Sequence, residues 1–177
     1  AGFYGYEDYR TRKTYEDMAA IKESAQNTPY FEAEKEPEAP TINYTNQEKD
    51  VPEVLEEYKK LYNSNKKLIG WLKIDDTNID YPVMQTNNNE YYLNHLFDGT
   101  INSSGSVFMD SGNSAAFIDS ATYLYGHHSK GGGMFATLSD YLDPAYYEAH
   151  PQFLLMTPFA DYQVDVFAGM ATVVEDE

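Results

Sequence analysis

At 177 residues the chain has room for one domain with a sizeable core and an appendage beside it, and an aromatic share of 15%, including 17 Tyr, argues against a disordered polymer. A formal charge of −17, from 29 acids against 12 bases, repels nucleic acid and anionic lipid surfaces, which are bound through Lys and Arg, so no nucleic-acid role is expected. The absence of Cys rules out disulfides and thiolate metal sites within these residues.

From Tyr6 to about Gln26 the pattern is helical and strongly charged, with Thr14 and Asp17 spaced as a capping box and Met18, Ile21 and Ala25 at helical intervals; it predicts an outlying helix. Residues 28–49 carry Pro29, Pro37 and Pro40 among Glu32, Glu34, Glu36 and Glu38, too little apolar surface to fold alone, and read as a linker or surface strap. Residues 1–49 thus form a helix plus acidic, Pro-containing linker, and residues 50–177 the main unit. That unit opens with "DVPEVLEEYKKLYNSN", a helix with Asp50 as N-cap, Pro52 in the first turn, Glu53 completing the box, and Val54, Leu55, Tyr58, Leu61 and Tyr62 as an apolar stripe.

Beyond Asn65 the periodicity becomes that of short strands, at 68–74, 79–85, 105–110, 121–127, 152–158 and 161–173. In the last of these Tyr162, Val164, Val166, Ala168 and Met170 are expected to share one face. Two helical insertions are expected, Asn88 to Phe97 and Met134 to Leu142, with a further turn between Pro144 and Pro151. Short strands at close spacing predict a mostly β fold: an incomplete barrel of about six strands, with N-terminal helices and two inserted helices. No apolar run approaches the roughly 20 residues needed to cross a bilayer.

The residues that could carry chemistry centre on "YLYGHHSKGGG", where a strand gives way to a flexible loop carrying His127 and His128. A metal reading would have to recruit His95 and His150, but adjacent His residues on a strand point to opposite faces and no HxH or HxxxH spacing supports it, so no metal is expected. A nucleophilic reading would pair His127 with Ser129, although no GxSxG or SxxK context marks an activated Ser. Among 29 acids no spacing picks out the carboxylate pair of a glycosidase.

Together, "NNNEYYLNHLF", "GSVFMD", "YLYGHHSKGGGMFATLSDYLD" and "HPQFLLMTPFADYQVDVF" resemble class B sortases, bacterial surface cysteine transpeptidases, in the family's order from about Leu68 onward. The resemblance implies cleavage of a sorting signal at the carbonyl of a Thr, a thioester on a Cys, and transfer to an amine of cell-wall peptidoglycan or of a pilin. It implies no cofactor, a place on the outer face of a Gram-positive-type cell membrane, and an anchor upstream of Ala1. Acyl transfer of this kind needs a thiolate, a proton carrier and an oxyanion donor, which the family supplies as Cys, His and Arg. The proton carrier maps to His127, with His128 pointing away; Asn89 and Leu93, one helical turn apart, and Tyr125, on the strand face of His127, map to the sorting-peptide groove. The plainer alternative has Asn89 capping a helix and Leu93 and Tyr125 packing the core. The family's Cys and Arg are expected on two strands after residue 177, so the chain is expected to be the N-terminal part of a sortase and inactive by itself. Two other readings stand beside this one: a noncatalytic surface module that binds peptide by edge pairing, and a serine hydrolase using His127 and Ser129.

Overall fold

The computed structural model describes residues 2–26, 56–158 and 160–172. Helix α1 (Gly2–Gln26) runs through the predicted capping box, so Thr14 and Asp17 lie in its interior and mark no start. The residues upstream of Thr14 tolerate helix, and extending one costs less than nucleating another. Asp17 instead forms an exposed i,i+4 ion pair with Lys13 at 3.5 Å. Nor is the helix outlying. Thr11, Tyr15, Met18 and Lys22 fall on one face, at spacings of four, three and four, and that face is buried against the sheet. The Lys22 ammonium lies 5.4 Å from the centroid of the Trp71 ring, a cation–π contact at the sheet surface.

The linker region and the start of the second helix, including Asp50, Pro52, Glu53, Val54 and Leu55, lie outside the described residues. The described part of that helix, α2 (Glu56–Ser64), packs on α1 and buries Leu61 from the predicted stripe.

Among the described residues six strands form one open sheet, curled as half a barrel: β1 (Leu68–Lys73), β2 (Asp80–Met84), β3 (Val107–Met109), β4 (Leu124–Tyr125), β5 (Gln152–Met156) and β6 (Asp161–Asp165), in the order β4-β3-β2-β1-β5-β6. All neighbours are antiparallel except β2 and β3, whose parallel pairing requires the long crossover through residues 85–106. The core is fully buried at Leu68, Trp71, Ile79, Val83, Met84, Tyr92, Leu96, Val107 and Met109, on both sides of the central strands. Among the described residues no helix is long and apolar enough to cross a membrane.

Three expectations need correcting. The segment Asn88–Phe97 is not a helix but a single 3-10 turn, Tyr91–Leu93. Its Asn-rich start bonds to its own backbone, Asn88 Oδ1 accepting from the amides of Glu90 (3.0 Å) and Tyr91 (2.9 Å), and a bridge between His95 and Ile101 folds the rest back. The second insertion is also 3-10, Ala136–Leu142, followed by α3 (Pro144–Ala149), which Asp143 caps by accepting from the Ala145 amide at 2.9 Å. Finally, β6 stops at Asp165 rather than continuing to residue 173, because its partner β5 begins only at Gln152, behind Pro151; the Val166 amide makes the last bond, 2.8 Å to the Pro151 carbonyl. Met170, placed by the alternation on a shared apolar face, is 88% exposed.

Candidate active site

Strands β3 and β4 bring Phe108 and Tyr125 opposite each other, with ring centroids 5.2 Å apart. Across from them runs the 3-10 turn with Leu93. Gly105 holds that turn against the chain entering β3: its φ is +58°, and a Cβ there would lie 2.2 Å from the Tyr92 carbonyl oxygen, an approach open only to glycine. The Ser106 amide donates to the same carbonyl at 2.9 Å, and the buried Tyr15 hydroxyl of α1 donates to the Gly105 carbonyl at 3.1 Å. Between these walls lies a cleft of about 310 Å³, lined by Leu93, Phe108, Tyr125 and His127, with Ser104 and Ser106 on its polar side.

Tyr125 and His127, two residues apart, both line this cleft, and Gly126 between them lets the Phe135 ring pack close on the other side, since a Cβ there would stand 2.5 Å from it. The chain then turns through Ser129–Gly133 and returns, with the Phe135 amide donating to the His127 carbonyl at 3.0 Å and a bridge between His128 and Met134. This loop is anchored from below: the Met134 amide donates to the Tyr81 hydroxyl at 3.0 Å, and Asn78 Nδ2 donates to the Gly132 carbonyl at 2.9 Å. His127 is therefore an exposed imidazole on a backbone held at both ends, and its ring makes no hydrogen bond among the described residues. His128, expected to point away, borders the same cleft instead, because the chain turns into the glycine loop there rather than continuing as a strand, and its Nε2 lies 2.9 Å from Ser139 Oγ.

One carboxylate organises the wall behind Tyr125. Asp110 Oδ2 accepts from the Tyr125 hydroxyl at 2.9 Å and from Asn89 Nδ2 at 2.7 Å, and its Oδ1 accepts from the Gly112 amide at 2.8 Å. The Gly112 amide first, then the Tyr125 hydroxyl and Asn89, hold the Asp110 carboxyl below the ordinary range. The same hydrogen bond raises the Tyr125 phenol. Tyr92, beneath the cleft, is pushed up to about 12 by burial.

The cleft thus gathers Leu93, Tyr125 and His127 but not Asn89, whose amide is engaged with Asp110 and, through Oδ1, with the Ser111 amide at 2.7 Å. The helical-turn spacing predicted for Asn89 and Leu93 does not exist, and the plainer alternative fares no better: the cap position is Glu90, with no side-chain cap bond, the Glu90 and Tyr91 amides go to Asn88 rather than Asn89, and Leu93 and Tyr125 are 59% and 41% exposed. Ser129 lies instead on a separate cavity of about 490 Å³ between α1 and the glycine loop, its hydroxyl accepting from the Gly131 amide, and no hydrogen bond joins it to His127 among the described residues. His95 stacks on Tyr91 and His150 lies against Tyr146; among the described residues no three His, Asp or Glu side chains converge as metal ligands. Sequence reasoning missed Asp110 because its significance depends on the strand pairing that sets Tyr125 beside it.

No protein-family model matches the chain. It is 42% identical over 123 residues to sortase B of Listeria monocytogenes and 36% identical over 120 residues to sortase B of Staphylococcus aureus, matches that cover 70% and 68% of the chain. These cover 50% and 49% of the relatives, so the chain spans about half their length. Among solved structures, sortase B from B. anthracis in complex with AAEK1 superposes with a TM-score of 0.74 at 30% identity, covering 97% of this chain and 72% of that one. A Staphylococcus aureus sortase B–substrate complex superposes with a TM-score of 0.70 at 27% identity, covering 95% and 66% respectively. On sequence and on fold, the chain belongs to the sortase B family.

Proposed function

We propose that this chain supplies the proton-carrying half of a cysteine transpeptidase active site, with His127 as proton carrier and the cleft of Leu93, Phe108 and Tyr125 as part of the groove for a sorting peptide. The observation that carries the reading is the meeting of His127, Tyr125 and Leu93, 34 positions apart in sequence from first to last, around one cleft in a chain of this family. In the reaction, a thiolate attacks the Thr carbonyl and its C–S bond forms as the peptide C–N bond breaks. His127 delivers a proton to the departing amine, then takes one from the incoming amine as the C–S bond breaks and the new amide forms. An exposed imidazole whose ring makes no hydrogen bond among the described residues is suited to both steps. The family's Cys and Arg are expected in the length of the relatives that this chain does not span, which also fits the lack of any Cys here.

Under this reading the parent protein works at a Gram-positive-type cell surface, held by an anchor upstream of Ala1, and transfers surface proteins to an amine of peptidoglycan or of a pilin. The test is to express the whole reading frame that contains this chain and follow a quenched, fluorescent, Thr-containing sorting peptide. Cleavage abolished by thiol alkylation is expected; no cleavage, or cleavage indifferent to alkylation, contradicts the reading. A second reading, a noncatalytic peptide binder, draws support from β6, which pairs only with β5 and leaves one edge free among the described residues. Its signature in the same assay is peptide binding without cleavage.

A further inference from the structure

We propose that Asp110 is a positioning residue for this cleft: its carboxylate clamps Tyr125 to the segment entering the 3-10 turn and so fixes the distance between the two walls. Tyr125 stands on β4, an edge strand of two residues, and its ring is substantially exposed. The Phe108 ring packs on one side of it, but its hydroxyl end reaches beyond that contact, and an unrestrained tyrosine would lose rotamer entropy each time a ligand used it as a wall. Asp110 removes that freedom in advance. It immediately follows β3, and its Oδ2 holds the Tyr125 hydroxyl from one wall and Asn89 Nδ2 from the other. The Gly112 amide orients the carboxylate through Oδ1, and the Ser111 amide orients Asn89 through its Oδ1, so Asp110 and Asn89 each have a second attachment.

This arrangement gives Asn89 a role different from that implied by family resemblance. Both ends of its amide are occupied inside the protein, so it acts on the cleft through Asp110 and Tyr125 rather than by touching the ligand. Replacing Asp110 with Asn leaves the shape but cannot satisfy the same three donors, because one of the two oxygens becomes an NH2 group.

The purpose assigned to the clamp rests on the peptide-groove reading above; the clamp itself rests on the hydrogen bonds, and the test separates the two. With tyrosine labelled at 13Cζ in the 177-residue chain, Asp110→Asn is expected to lower the Tyr125 titration midpoint toward that of an ordinary tyrosine. In the protein from the whole reading frame, Asp110→Asn and Tyr125→Phe are each expected to reduce kcat/KM for the Thr-containing peptide by about tenfold, mainly through KM, and the double variant by no more than either alone. Tyr125→Phe removes only one exposed hydroxyl and carries the kinetic arm if Asp110→Asn fails to fold. A Tyr125 midpoint unmoved by Asp110→Asn overturns the clamp. Release of Tyr125 with KM unchanged in Tyr125→Phe overturns the positioning role. A wild-type protein that cleaves no Thr-containing peptide removes the groove reading, while the tyrosine titration still decides the clamp.

Discussion

Asp110 and His127 show how unevenly individual residues announce themselves. His127 is marked by a local pattern, a histidine after a strand and before a glycine loop, which needs no knowledge of what lies across from it. Asp110 looks like the polar end of a strand until β3 is paired with β4. Its contacts also carry a pH signature. A carboxyl held below its ordinary range contributes stability that is fully present above the unfolded-state value and is lost as pH falls through the lowered value. The Asp110–Tyr125 contact is therefore expected to remain intact at neutral and mildly acid pH and to open only below the ordinary carboxylate range. From the tyrosine side the sign is reversed: a raised phenol keeps the contact until pH climbs through that raised value. NMR shifts of the Tyr125 ring across an acid titration check the first limb; a transition in the mildly acid range, where an unperturbed carboxyl titrates, speaks against it.

At the scale of elements, strands β1 and β2 were legible in the sequence because their apolar runs flank a short polar turn, and the observed strands differ from expectation by only a residue or two. The segment 88–97 was not, because helical spacing of its apolar residues competes with the Asn side chains for the same backbone amides, and the amides go to Asn88. Helix α1 was found but misjudged: the polar residues Thr11 and Lys22 on its inner face disguise a buried stripe. Two substitutions test these local arguments. Gly126→Ala places a methyl carbon against the Phe135 ring and is expected to cost about 1–3 kcal/mol by overpacking, read as a lower Tm. Tyr15→Phe removes the hydroxyl that ties α1 to the Gly105 carbonyl and is expected to cost about 1 kcal/mol in urea unfolding. A stability equal to wild type in both would mean that neither the loop nor the helix is held as described.

For the whole molecule, the mostly β class and the approximate strand number were readable from spacing alone, whereas the sheet order was not, because the parallel β2–β3 pair depends on a crossover that periodicity cannot reveal. Trp71 stands at the centre of that sheet, fully buried, with Lys22 over its ring, and Trp71→Ala is expected to cost about 3–5 kcal/mol, enough to unfold much of a marginally stable population. The cleft sits toward one edge of the sheet, with its walls drawn from the β3–β4 pair and the crossover, which is why the site residues are far apart in sequence. The central claim is that this cleft is half of a transpeptidase site in which His127, and not its neighbour, moves the proton. The most direct measurement compares kcat/KM for the Thr-containing peptide in His127→Ala and His128→Ala, each made in the protein from the whole reading frame. Loss of general acid–base catalysis predicts a fall of about 10²–10⁴ for His127→Ala and a far smaller one for His128→Ala; equal losses, or a larger loss at His128, would contradict the account.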